Sequence, residues 1–199
     1  MKYATVIGSR HITKEEYIVL RDVATKLAYE GYTLRSGGAE GADSTINHLC
    51  KVEIIIPWNG FNHFQHNGKR IFTLGLLPHV SLAEDRAKSI HPAPERLTQG
   101  ALKLHTRNIY QIIGPYGNDG YKSDIVVFCA DADENGIPVG GTRTGVVYAQ
   151  QLDIPTFNIR NHGFDVDALL QAILGRIQSN KESQFNREYA SEWAKSDKD

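Results

Sequence analysis

Short apolar runs alternate with helical periodicities along this chain, and the alternation predicts its elements. Residues 3–7, Tyr-Ala-Thr-Val-Ile, predict a buried strand ending at Gly8-Ser9-Arg10. Thr13 and Glu16 fit a capping box, after which Tyr17, Leu20, Val23, Ala24, Leu27 and Ala28 recur at helical spacing until Gly31. Tyr32-Thr33-Leu34 predicts a second strand, residues 36–43 a turn, and Ile46, Leu49 and Cys50 the face of a helix. Val52 to Ile56 reads as a third strand broken by Pro57. Residues 57–80 show no period and predict a long loop. Helical patterns resume at 81–90 and 97–113, separated by His91-Pro92-Ala93-Pro94. Ile125-Val126-Val127-Phe128-Cys129 is a β-prone run, followed by a polar loop to Pro138. Gly140 to Gly145 opens a helix that ends near Leu152, and residues 155–159 give the last strand. Val166, Leu169, Leu170, Ile173, Leu174 and Ile177 form a closing amphipathic helix with Asp165 as its cap.

Strands alternating with helices predict one α/β domain, a Rossmann-like three-layer sandwich. Its sheet is mainly parallel, has at least five strands, and carries a long insertion between strands three and four. The domain is expected over residues 1–178, with a charged helix or tail at 179–199. In that segment Phe185, Tyr189 and Trp193 stand four apart, a stripe expected to dock on the body or on a second subunit.

Composition narrows the function classes. Of 199 residues, 22 are Lys or Arg and 23 Asp or Glu, a net charge of −1, which excludes a globally basic nucleic-acid binder but leaves room for a local patch. No apolar run reaches the roughly 18–20 residues that cross a bilayer, so no membrane association is expected. The apolar part of the first eight residues is too short for a signal peptide. Cys50 and Cys129 form neither a disulfide framework nor a zinc pattern, consistent with a reduced, cytoplasmic setting. Among eight histidines, His63 and His66 stand three apart with no acid or cysteine at ligand spacing, so neither metal nor cofactor is expected. No Gly-x-Ser-x-Gly elbow supports an esterase triad.

In parallel sheets, ligands sit beyond the carboxyl ends of the strands, and three glycine turns fall there. Gly8-Ser9-Arg10 offers close backbone approach, a hydroxyl and a guanidinium. Ser36-Gly37-Gly38-Ala39-Glu40-Gly41-Ala42-Asp43 places three glycines before a predicted helix, whose free amides would attract an anion. It is neither the Gly-x-Gly-x-x-Gly fingerprint nor a P-loop, which argues against NAD-dependent hydride transfer and P-loop ATPase chemistry. Glu40 and Asp43 suit ribose hydroxyls or a helix cap, and for Asp43 the two readings balance. Gly140-Gly141-Thr142-Arg143-Thr144 repeats the design with two hydroxyls and an arginine.

These strings, with Ile7 ahead of Gly8, Pro57-Trp58, His91-Pro92 and Arg107-Asn108, occur in an order that resembles a known superfamily. It comprises the DNA-processing protein A (Smf) family, the molybdenum-cofactor carrier proteins and the Lonely Guy phosphoribohydrolases. The likeness spans residues 3–160 and is nearest to the small DNA-processing-A-like proteins often encoded by phages. The resemblance implies ligand contacts by Arg107 and Asn108 and frequent dimers. Lonely Guy enzymes carry a Pro-Gly-Gly-x-Gly-Thr-x-x-Glu motif, whereas here Gly145-Val146-Val147-Tyr148 follows with no acid, so ribose 5-phosphate release is not expected. DNA-processing A proteins bind single-stranded DNA, a role that usually draws on several cations.

The leading expectation is therefore binding of a nucleotide or nucleotide-derived small molecule by a homodimer or higher oligomer. Ser9, Arg10, Gly37, Gly38, Gly140, Gly141 and Thr142 would cradle phosphate, with Gly8, Ser36, Gly41, Arg143 and Thr144 as further ligand contacts. Glu40, Asp43 and Trp58 would contact sugar or base. One alternative is a hydrolase of a nucleotide N-glycosidic or phosphoester bond, with Glu40 or Asp43 as acid–base. Another is a single-stranded DNA-binding recombination mediator, a nucleic-acid role the charge does not favour.

Overall fold

The computed structural model describes residues 1–196; for Asp119 and residues 189–196 it defines the backbone but no side chains. Six parallel strands form one sheet in the order β4-β3-β2-β1-β5-β6. They are β1 (Lys2–Gly8), β2 (Tyr32–Ser36), β3 (Val52–Ile56), β4 (Ile71–Thr73), β5 (Ile125–Cys129) and β6 (Thr156–Asn158). The chain starts in the middle, builds β2 to β4 outward on one side, then crosses over to lay β5 and β6 on the other. The strand order therefore reverses between β1 and β5, paired from Ala4–Ile125 to Gly8–Cys129.

Alternating side chains feed two cores, giving a Rossmann-like three-layer fold. Ala4, Val6, Leu34, Ile54, Ile125 and Val127 pack under α1 (Lys14–Tyr29) and α5 (Val166–Ser196). Ile7, Ile55, Val126 and Phe128 face α2 (Val80–Ile90), α3 (Gln99–Ile113) and α4 (Thr142–Gln151). The helix starts follow the caps expected of them. Thr13 Oγ1 accepts from the Glu16 amide at 3.1 Å while Glu16 Oε2 accepts from Thr13 N–H at 2.8 Å. Asp165 Oδ1 accepts from the amides of Asp167 and Ala168.

Two elements depart from the sequence expectation. The segment after residue 40 forms a six-residue 3₁₀ turn, Gly41–Ile46, in place of an α-helix, and Cys50 lies exposed. The hydroxyls of Ser44 and Thr45 donate to the carbonyls of Gly41 and Ala42, each at 2.7 Å, and tighten the turn locally. The expected long loop at 57–80 contains β4, a three-residue edge strand paired with Ile54–Ile56 of β3. It is too short for an alternating pattern to register in the sequence. Past Ile177, α5 carries Phe185 exposed; the side chains of Tyr189 and Trp193 lie outside the described residues.

A buried arginine ties the sheet to the end of α3. Arg35 of β2 is fully buried, its Nε and Nη2 at 2.8 and 2.6 Å from Glu53 Oε2. Its Nη1 donates to Tyr121 O at 3.0 Å, and its guanidinium lies 4.6 Å from the centre of the Tyr3 ring. Burial lowers its pKa, and the adjacent Glu53 carboxylate opposes that shift.

Candidate functional site

A cavity of about 460 Å³ opens where the strand order reverses, at the carboxyl ends of β1 and β5. Gly8 to His11, leaving β1, form one wall; Ala130 and Asp131, leaving β5, lie beside it. Val139-Gly140-Gly141-Thr142 at the start of α4 form a second wall, and Ala101, Leu104, His105, Arg107, Asn108 and Gln111 of α3 form a third. The wall beside β1 is held close to β5: Ser9 N–H donates to Cys129 O at 2.8 Å, and a Cβ at Gly8 would stand 2.3 Å from that oxygen. Asn108 Nδ2 donates to Gly141 O at 2.8 Å and fixes the α4 loop to α3.

The loop from Ser36 to Asp43 does something other than present amides to a ligand. Asp43 Oδ2 accepts from Gly37 N–H at 3.1 Å, from Ala39 N–H at 3.4 Å and from Arg107 Nη1 at 3.1 Å. Gln111, with its amide oriented to satisfy both ends, accepts from Gly37 N–H at 2.6 Å and Arg107 Nη1 at 2.9 Å. A Cβ on Gly37 would fall 0.9 Å from Arg107 Nη1, so the glycine makes room for the guanidinium. Burial lowers the Arg107 pKa, and the adjacent Asp43 carboxylate opposes that shift. Carboxylate, amides and guanidinium thus form one internal lock, with Asp43 and Arg107 each about 95% buried.

Of the residues singled out from sequence, Gly8, Ser9, Arg10, Asp43, Arg107, Asn108, Gly140, Gly141 and Thr142 line the cavity. Ser36, Gly37, Gly38, Glu40, Gly41, Trp58, Arg143 and Thr144 lie off its wall. Ser36 Oγ donates to Asp43 O at 3.0 Å. Gly38 is wedged between Ile54 and Phe64, and Gly41 lies against Ser9 and Arg10. Glu40 is solvent-exposed and makes no cap hydrogen bond. Trp58 is 41% exposed and meets the Phe61 ring edge-on at 5.3 Å. Both acids in the wall are engaged: Asp43 by Arg107, and Asp131 by Arg160 Nη1 at 2.7 Å.

Sequence reasoning passed over three contributors. His105 Nδ1 lies 2.6 Å from Thr144 Oγ1, and its ring meets that of His91 edge-on at 4.8 Å. Burial, then His91 and Arg107, push its pKa down to about 4, so the imidazole is neutral at neutral pH. Gln111 is buried in the back wall. Arg160 holds Glu16 at 2.6 and 3.1 Å and Asp131 at 2.7 Å, tying the rim to α1, and its hydrogen bonds lower the Glu16 pKa. The polar position i+4 to Ala101 was the available signal for His105; Arg160 carried none, because its partners are distant in sequence.

No protein-family model and no curated protein matches the chain. Among solved structures, it is similar to DNA processing protein A from Helicobacter pylori, described with a unique single-stranded DNA binding mode. The similarity covers 94% of this chain and 81% of that one, at 18% identity and a TM-score of 0.45.

Proposed function

We propose that the cavity binds a nucleotide-class ligand, its phosphate at Gly140-Gly141-Thr142 and Ser9-Arg10 and its sugar or base along α3. The observation that carries this reading is the cavity's position at the point of strand-order reversal, where loops from the two halves of the sheet part. Its volume falls within the roughly 300–1,000 Å³ of small-molecule sites. The first turn of α4, ten residues long, brings partial positive charge, and Arg10 brings a full one at the rim. Ala101, Leu104 and Val139 supply apolar surface for a ring. Because both wall acids are ion-paired, binding without turnover is expected.

A second reading, single-stranded nucleic acid, is favoured by Trp58, whose exposed indole lies off the cavity wall and offers a face on which a base can stack. Thermal unfolding against nucleoside mono-, di- and cyclic phosphates and against a ten-residue oligothymidylate separates the sources. A ligand at 100 times its Kd stabilises by about 2.7 kcal/mol, roughly 5–10 °C for a chain of this size. A shift by mononucleotides supports the cavity alone; a shift by the oligomer alone, lost in Trp58→Ala, supports the strand. No shift with any of them rejects both.

A further inference from the structure

We propose that His105 reads the uncharged end of the cavity ligand, donating or accepting one hydrogen bond through Nε2 to its sugar or base. This rests on the nucleotide reading of the cavity and assigns a contact within it.

His105 stands half-buried in the α3 wall, and its Nδ1 is occupied by Thr144 Oγ1 at 2.6 Å. The ring atom left for a ligand is Nε2. It accepts when Nδ1 donates to Thr144 and donates when Nδ1 accepts, so either tautomer offers the cavity one defined partner. Orientation is fixed twice, by Thr144 and by the His91 ring at 4.8 Å.

The surroundings decide against a phosphate-binding imidazolium. Thr144 belongs to the first turn of α4, where a cation is disfavoured by the helix dipole. Arg107 and the exposed Arg10 add positive charge nearby or across the cavity; Asp43 is committed to Arg107 and Asp131 to Arg160, while His11 lines the opposite wall. A histidine so placed is neutral, and a neutral ring discriminates by hydrogen bonding, not by charge.

The test exploits side-chain geometry. An asparagine amide reaches the place of Nδ1, and a glutamine amide reaches the place of Nε2 and offers both a donor and an acceptor. Titration calorimetry on wild type, His105→Gln, His105→Asn and His105→Ala would use the four deoxynucleoside monophosphates, the ten-residue oligothymidylate and inorganic phosphate. We expect His105→Asn and His105→Ala to bind the nucleotide probes about tenfold more weakly, the worth of one good hydrogen bond, while His105→Gln stays within about threefold. Phosphate binding should be unchanged in all three. If His105→Asn matches wild type while His105→Gln loses affinity, the residue acts through Thr144 and the proposal falls, with the nucleotide reading intact. Equal affinities throughout overturn it likewise. Wild type binding none of the probes overturns both. Should His105→Ala unfold, the contrast between Gln and Asn still decides.

Discussion

Two glycine-rich turns that read alike in sequence have opposite uses in the fold. At Ser36–Asp43, backbone amides turn inward to a carboxylate, and Gly37 leaves space for a buried guanidinium. At Gly140–Thr142, the backbone faces a cavity; a Cβ at Gly141 would find no atom nearer than Asn108 Nδ2 at 4.0 Å. A run of glycines thus reports that something approaches the backbone closely, but not whether it is the protein's own side chain or a ligand. The difference lies in what sits opposite. The first turn faces Arg107, brought 64 positions along the chain onto Asp43, and the second faces an opening between strand ends.

The largest way to break this contrast is to remove the guanidinium. Arg107→Ala leaves the buried Asp43 carboxylate without its cation, which should cost about 3–5 kcal/mol. Chemical denaturation checks this; a loss under 1 kcal/mol would mean that Asp43 is held by its amides alone. Gly37→Ala attacks the same lock from the other side. Its methyl group collides with Nη1, and overpacking of this kind costs about 1–3 kcal/mol. Unchanged stability in that variant would show that the guanidinium does not lie beneath the loop.

How much of this was legible in the sequence follows the range of the interactions. Caps and periodicities are local, so Thr13–Glu16, Asp165 and five of the six strands could be read directly, whereas their order in the sheet could not. The 3₁₀ turn escaped because Ser44 and Thr45 compete with the helix by hydrogen bonds that no hydrophobic period reveals. β4 escaped because three residues cannot show an alternation. The glycine turns at positions 8 and 140–142 could be read as neighbours lining one cavity, since both follow strands of one parallel sheet. The lock at Asp43, the Arg35–Glu53 pair and the Arg160 tie between Glu16 and Asp131 depend on tertiary partners, and a single chain of letters carries no trace of who meets whom.

A smaller effect sharpens the contrast through pH. His105, beside the open turn, has a folded pKa near 4, below the ordinary 6.5 of an unfolded histidine. The unfolded chain therefore takes the proton first. Stability from this residue is complete above pH 6.5, declines as pH falls toward 4 and levels off below. By pH 5 the loss reaches up to about 2 kcal/mol, at 1.36 kcal/mol per unit. The difference in melting temperature between pH 7.5 and 5 should be smaller in His105→Gln than in wild type. Identical differences would mean that His105 titrates in the folded protein as it does in the unfolded chain.

The smallest effect on stability is expected at Gly141, and it is the most telling for function. Gly141 has φ −63° and ψ −33°, right-handed helical values that alanine adopts without strain. Its missing Cβ would meet open space apart from Asn108 Nδ2. Nothing among the described residues needs glycine at this position, unlike Gly37. Gly141→Ala should therefore change unfolding free energy by no more than about 0.5 kcal/mol. If the turn cradles phosphate, the added methyl group takes space that the ligand needs, and the thermal shift by nucleotides should shrink or vanish in a fully folded protein. A variant that keeps both its stability and its ligand shift would show that the anion does not seat on this backbone. The open turn would then owe its glycines to the geometry of the strand-to-helix connection alone.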